Sequence, residues 1–190
     1  MKESKGASII YVLFLFQALL INAQSVTIKE ETMALNTYMY SEPDPEPILD
    51  ENPKIYPYFK FEGYSHTSKK RDWKVVVLEN DYIKVFVLPE IGGKVWGAIE
   101  KSTGEEFLYK NKVIKFRDIA MRGPWTSGGI EFNFGIIGHS PATATPVDYQ
   151  IRKNDDGSVS CIVGNTDLPS NTQWRVEINL QKDKAFFETK

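Results

Sequence analysis

Trp174-Arg175-Val176-Glu177-Ile178-Asn179-Leu180-Gln181 is the stretch whose pattern settles the fold class. Apolar Trp174, Val176, Ile178 and Leu180 alternate with polar Arg175, Glu177, Asn179 and Gln181 without a break. A helix returns to the same face every three or four residues, whereas a strand sends successive side chains to opposite faces. A period of two held this long describes an antiparallel strand with one face in a core and the other in water. Asp183-Lys184 then turns the chain into a second short run at 185–188.

The same texture extends back to Trp73. Runs at 73–78 and 82–88 are β-branched and joined by Glu79-Asn80-Asp81, a turn-rich junction. Ser102-Thr103-Gly104 separates 94–100 from 106–109, and Asp155-Asp156-Gly157 separates 147–152 from 159–163, each a hairpin signal. Gly92-Gly93 suits a sharp reversal between 82–88 and 94–100, because glycine enters φ > 0 without steric penalty. No stretch after residue 30 carries a helical period. The expected fold is all-β, with large antiparallel sheets packed face to face. Upstream, 24–37 lacks clear periodicity, although 25–29 could add an edge strand. Residues 38–57 hold Pro43, Pro45, Pro47, Pro53 and Pro57 among Tyr38, Tyr40 and Tyr56, which favours an extended segment docked by its aromatics.

The N-terminus reads as an export signal. Lys2 and Lys5 precede an apolar run from Ala7 to Ile21, and Ala23 offers a small residue for cleavage. The run is short for a membrane span, and an uncleaved anchor is the alternative. The expected organisation is therefore a signal peptide at 1–23, an extended lead-in at 24–72, and a β-sandwich domain at 73–190. The localisation is exported, periplasmic or extracellular. The lone Cys161 allows no internal disulfide and reads as a small buried side chain. Removing Lys2, Lys5 and Glu3 with the leader shifts the net charge from −2 to −3. That mild acidity argues against nucleic acid or an anionic membrane as the main partner.

The chemistry concentrates in Gly123-Pro124-Trp125-Thr126-Ser127-Gly128-Gly129-Ile130-Glu131-Phe132-Asn133-Phe134-Gly135, followed by Gly138-His139-Ser140-Pro141. Read as a strand, Ile130, Phe132 and Phe134 would face a core, and Glu131 and Asn133 the opposite side. A carboxylate and an amide beside Trp125 and His139 suit a polyhydroxylated ligand, with Arg122 as a further hydroxyl-binding candidate. The competing reading is a hairpin whose polar side meets water. Arg122 could equally form a salt bridge, and His139 could cap a sheet end. Trp96, flanked by small residues, reads as core packing. No Cys/His cluster has metal-ligand spacing, so neither metal nor cofactor is expected. Gly128-Gly129 opens a strand rather than a helix and reads as a tight turn, not a phosphate cradle.

Several separated motifs resemble one family in order. Leu88-Pro89-Glu90-Ile91-Gly92-Gly93-Lys94-Val95-Trp96-Gly97 and Lys101-Ser102-Thr103-Gly104-Glu105-Glu106-Phe107-Leu108-Tyr109 resemble the N-terminal part of the galactose mutarotase-like (aldose epimerase-like) superfamily. The proline-rich lead-in, the segment from Met121 to Gly135, Gly138-His139-Ser140-Pro141 and Pro146-Val147-Asp148-Tyr149 narrow the likeness to an uncharacterised domain family of exported bacterial proteins. Its members commonly continue into tetratricopeptide repeats. The resemblance spans about residues 38–190. It implies an antiparallel β-supersandwich with a sugar-binding cleft, here incomplete at the C-terminus, and a repeat region absent from this chain.

The resemblance also implies Glu131 and His139 as an acid/base pair for opening a sugar hemiacetal, while the residue types themselves make Arg122, Trp125 and Asn133 the substrate-binding candidates. Three functions stay open: an epimerase-like enzyme, a glycoside-cleaving enzyme pairing Glu131 with Asp148, and a non-catalytic carbohydrate-binding or scaffold module. The expected partner is a carbohydrate, with no stable membrane insertion after signal cleavage.

Overall fold

The computed structural model describes residues 25–40, 64–118, 124–134, 141–167 and 171–190. The expected signal peptide, most of the proline-rich segment, Arg122 and His139 lie outside the described residues. Eleven strands are described: β1 Thr27–Tyr38, β2 Lys69–Glu79, β3 Ile83–Leu88, β4 Lys94–Glu100, β5 Ile114–Lys115, β6 Arg117–Asp118, β7 Pro124–Trp125, β8 Asp148–Lys153, β9 Val159–Asp167, β10 Thr172–Leu180 and β11 Phe187–Thr189. Among the described residues the only helical element is a 3₁₀ turn, Pro141–Ala144, so the protein is all-β there.

Two sheets carry the fold. One has five strands in the order β4-β3-β2-β1-β5, and the other four in the order β11-β10-β9-β8. The second is a plain antiparallel meander, as the alternation at 174–181 requires. Its Val159, Cys161, Val163, Trp174, Ile178 and Leu180 pack on Val76, Leu78, Ile83, Val85, Val87 and Val95 of the first sheet. The opposite face of the five-stranded sheet is also buried. Trp73, Val75, Val77, Phe86, Leu88 and Trp96 meet Ile114 and Phe116 there. A strand covered on both faces loses the apolar–polar alternation, which is why Val75-Val76-Val77-Leu78 reads as a continuous apolar run.

β1 differs from the sequence expectation. It is a 12-residue strand that pairs with β2 from Thr27 to Thr37, while only Thr37 and Tyr38 pair with β5. Residues assigned to the lead-in thus form part of the sheet. The expected edge character is present along most of the strand, but its length is not legible locally. Lys29, Glu30 and Glu31 fall in it, and charge on an open edge opposes further strand pairing.

Two local devices position the functional region. Val87 pairs with Val95 and Phe86 with Gly97, leaving Trp96 as the extra residue of a β-bulge in β4. The reversal before β4 uses Gly92 and Gly93 at φ +65° and +67°. A Cβ at Gly93 would lie 2.7 Å from Val163 Cβ, so this glycine also allows the two sheets to close. Asn80 ties the sheets at the other end: its amide donates to Gln181 O and Lys184 O at 2.8 and 2.7 Å. Its carbonyl accepts from the backbone N–H groups of Tyr82 and Ile83.

Candidate functional site

The stretch around Glu131 is not the expected ladder strand. Within 130–134 only Ile130 pairs, in an isolated antiparallel bridge with Val95, as Gly128 does with Lys110, and 131–134 have no regular hydrogen-bonded structure. Gly128 and Gly129, at φ +99° and +69°, set this up. A Cβ at Gly129 would lie 2.1 Å from Val95 O, so only glycine lets the segment lie against β4. The expected sorting of side chains nonetheless holds. Ile130, Phe132 and Phe134 pack on the core between the sheets, with Phe134 6.4 Å from Trp174 ring to ring. Glu131 is half-buried and Asn133 exposed.

Pairing logic explains what Glu131 meets. Ile130 opposes Val95, and both face the inter-sheet core. Glu131, one residue on, turns to the other face, where Lys94 also points because it opposes Leu88. There the Trp125 indole N–H donates to Glu131 Oε2 at 2.6 Å. Lys94 is 2% exposed, and its Nζ donates to Thr126 O at 2.7 Å. Burial pushes the Lys94 ammonium down to about 8, and the nearby Glu131 carboxylate offsets part of that shift. Thr126 is fully buried, and its hydroxyl has no hydrogen-bond partner among the described residues.

The local fold places these groups by simple means. Trp125 lies in β7, held opposite Arg117 of β6. Asn111 of the preceding loop donates to the Ser127 hydroxyl, and Tyr109 donates to Asn111 Oδ1 at 2.7 Å. Tyr109 itself is 75% exposed, an aromatic face at the rim of this loop cluster. The arrangement offers a carboxylate oriented by an indole, a buried cation beside it, and an amide and a phenol toward solvent. Such a set can accept hydrogen bonds from hydroxyls while its cation limits the repulsion between the carboxylate and electron-rich oxygens.

Trp125 and Glu131 are therefore brought into direct contact, with Asn133 two residues away on an exposed position. Asp148, the second carboxylate of the glycosidase reading, is exposed on β8, on the face of the other sheet that is turned away from the core, and does not join Glu131. Lys94 was missed by the sequence reading. Its signal was a lysine between Gly93 and Val95, inside an otherwise apolar run that had to be buried. Trp96 and Cys161 are fully buried, as expected of core residues, and burial pushes the Cys161 thiol up to about 12. Among the described residues, no group of three His, Cys, Asp or Glu side chains is placed to hold a metal ion.

Comparison with known proteins agrees with this architecture. A solved structure of a TPR-domain containing protein from Parabacteroides distasonis superposes with a TM-score of 0.74 at 28% sequence identity. The match covers 87% of this chain and 28% of that one, so the chain spans little more than a quarter of that protein's length. A family profile described as domain of unknown function (DUF5107) matches residues 50–190, and the chain belongs to that family.

Proposed function

Starting from membership of that family, we propose that this is an exported carbohydrate-recognising domain of the galactose mutarotase-like supersandwich type. Trp125, Glu131 and Asn133 contact the sugar, together with Arg122 and His139. Glu131 and His139 act as the acid/base pair in the enzymatic form of the reading: the carboxylate takes a hydroxyl proton while the imidazole donates to the ring oxygen. The observation that supports it best is the 2.6 Å bond from the Trp125 indole to Glu131 Oε2, which orients a carboxylate beside the buried Lys94 ammonium.

The alternative is a non-catalytic module of a longer repeat-containing protein. It is favoured by the structural match, which lies within a TPR-domain containing protein far longer than this chain. Purified protein is assayed for anomeric interconversion of free hexoses by NMR and for reducing-end release from glycans. On the enzymatic reading, Glu131→Gln abolishes turnover with an unchanged far-ultraviolet spectrum. Sugar binding without turnover in the wild type supports the module, and absence of both binding and turnover refutes the carbohydrate reading.

A further inference from the structure

The outer face of the four-stranded sheet divides into two halves of different character. Toward the β8–β9 turn its polar groups satisfy one another. Arg152 pairs with Glu177 at 2.6 Å, the Ser160 hydroxyl donates to the same carboxylate, and Asn154 and Asn179 both donate to Ser158 and Ser160. That half is self-contained. Toward the opposite end lie Asp148, Gln150, Gln173 and Arg175, whose side chains make no hydrogen bond or ion pair among the described residues.

These four line a concavity of about 500 Å³, within the range of about 300–1,000 Å³ usual for small-molecule sites. Its centre is Gly164, which the register places between Asp148 on β8 and Arg175 on β10. Packing demands that glycine, because a Cβ there would lie 2.6 Å from Trp174 O. The consequence is a side-chain-free gap, with a carboxylate on one wall and a guanidinium on the other. Two inter-strand spacings separate those walls, about 10 Å between Cα atoms. Half-buried Ile162, one row along, adds an apolar floor.

We propose that this groove is a second glycan-binding subsite, taking an uncharged sugar unit across Gly164. The argument is one of complementarity. Asp148 only accepts hydrogen bonds, Arg175 only donates, and the two glutamine amides do both. A hydroxyl-rich ring offers donors and acceptors in alternation and a C–H face for Ile162. The opposed single charges cancel, so the groove favours a neutral ligand over a polyanion or polycation. The proposal rests on the carbohydrate reading of the domain but uses none of the Trp125–Glu131 residues.

The test titrates the ¹⁵N-labelled full chain with maltohexaose, cellohexaose and xylohexaose, following backbone amide shifts. Support is a saturable shift at the Gly164 and Arg175 amides that survives Glu131→Gln. In addition, Arg175→Ala and Asp148→Asn each weaken it about tenfold or more with unchanged circular dichroism. Shifts confined to 125–134 overturn the groove and leave the carbohydrate reading intact. Shifts at the groove with none near Trp125 uphold the groove and remove Glu131 from sugar contact. No shift with any of the three sugars overturns both, and unchanged affinity in Arg175→Ala overturns the groove alone.

Discussion

Lys94→Met keeps most of the side-chain volume at the buried end of β4 and removes its charge. In the folded protein burial lowers the ammonium to about 8, against 10.5 for an unperturbed lysine. Below pH 8 both folded and unfolded chains hold the proton, and this group adds no pH dependence. Between pH 8 and 10.5 the unfolded chain binds more protons than the folded one, so stability rises with pH, and the rise ends above 10.5. The whole window is worth about 3 kcal/mol, most of which accrues between pH 7 and pH 10.

Methionine has no such titration. At pH 7 the substitution relieves a burial penalty of about 3 kcal/mol but leaves the Thr126 carbonyl unpaired, at roughly 1–3 kcal/mol. The variant should therefore lie within about 2 kcal/mol of wild type at pH 7. Urea unfolding followed by tryptophan fluorescence at pH 7 and pH 10 measures both quantities. Relative to the variant, the wild type should gain roughly 2–3 kcal/mol between the two pH values. Parallel pH dependence in the two proteins would refute the argument. So would a loss beyond about 4 kcal/mol at pH 7, since the ammonium's contacts would then outweigh its burial.

Other positions give equally direct tests. Asn80→Ala strips two donors and one acceptor from a buried clip between the sheets and should lower unfolding free energy by about 3 kcal/mol in urea titrations. Gly93→Ala meets Val163 at 2.7 Å at positive φ, whereas Gly104→Ala, at φ +75°, meets nothing within 4 Å. The first should therefore destabilise by about 3 kcal/mol and the second by about 1 kcal/mol in the same assay. Equal losses would show that backbone conformation, not inter-sheet packing, sets the Gly93 requirement. The Cys161 thiol, buried with its pKa raised to about 12, should resist Ellman's reagent at pH 8 until urea unfolds the domain.

Much of the sheet structure was legible because its signals are local. The alternation at 174–181 appears as β10, and Asp155-Asp156-Gly157 joins β8 to β9 as a hairpin. Gly92-Gly93 makes the reversal into β4. The second half of the 94–109 hairpin shrinks to a single bridge between Ile99 and Glu106, because 128–130 occupies the β4 edge beyond it. β1 escaped notice beyond its first residues. Thr, Lys, Glu and Asn interrupt its apolar positions, and it is held by backbone bonds to β2 rather than by a pattern of its own. In the candidate site, the alternation of Ile130, Phe132 and Phe134 predicted which way Glu131 would turn, yet nothing nearby in sequence revealed Lys94.

The order of residues by itself determined the class of fold, the positions of the turns and the side of the backbone on which each polar group of 130–134 emerges. Those properties depend on periods of two and on glycine's access to positive φ, both of which act within a few residues. The tertiary structure decided which groups meet. Lys94 and Trp125 lie 31 positions apart, and they converge on Glu131 only because Ile130 docks beside Val95 and the five-stranded sheet is covered on both faces. The gap at Gly164 likewise exists only when three strands stand side by side, since register between distant segments is set by packing and carries no local mark.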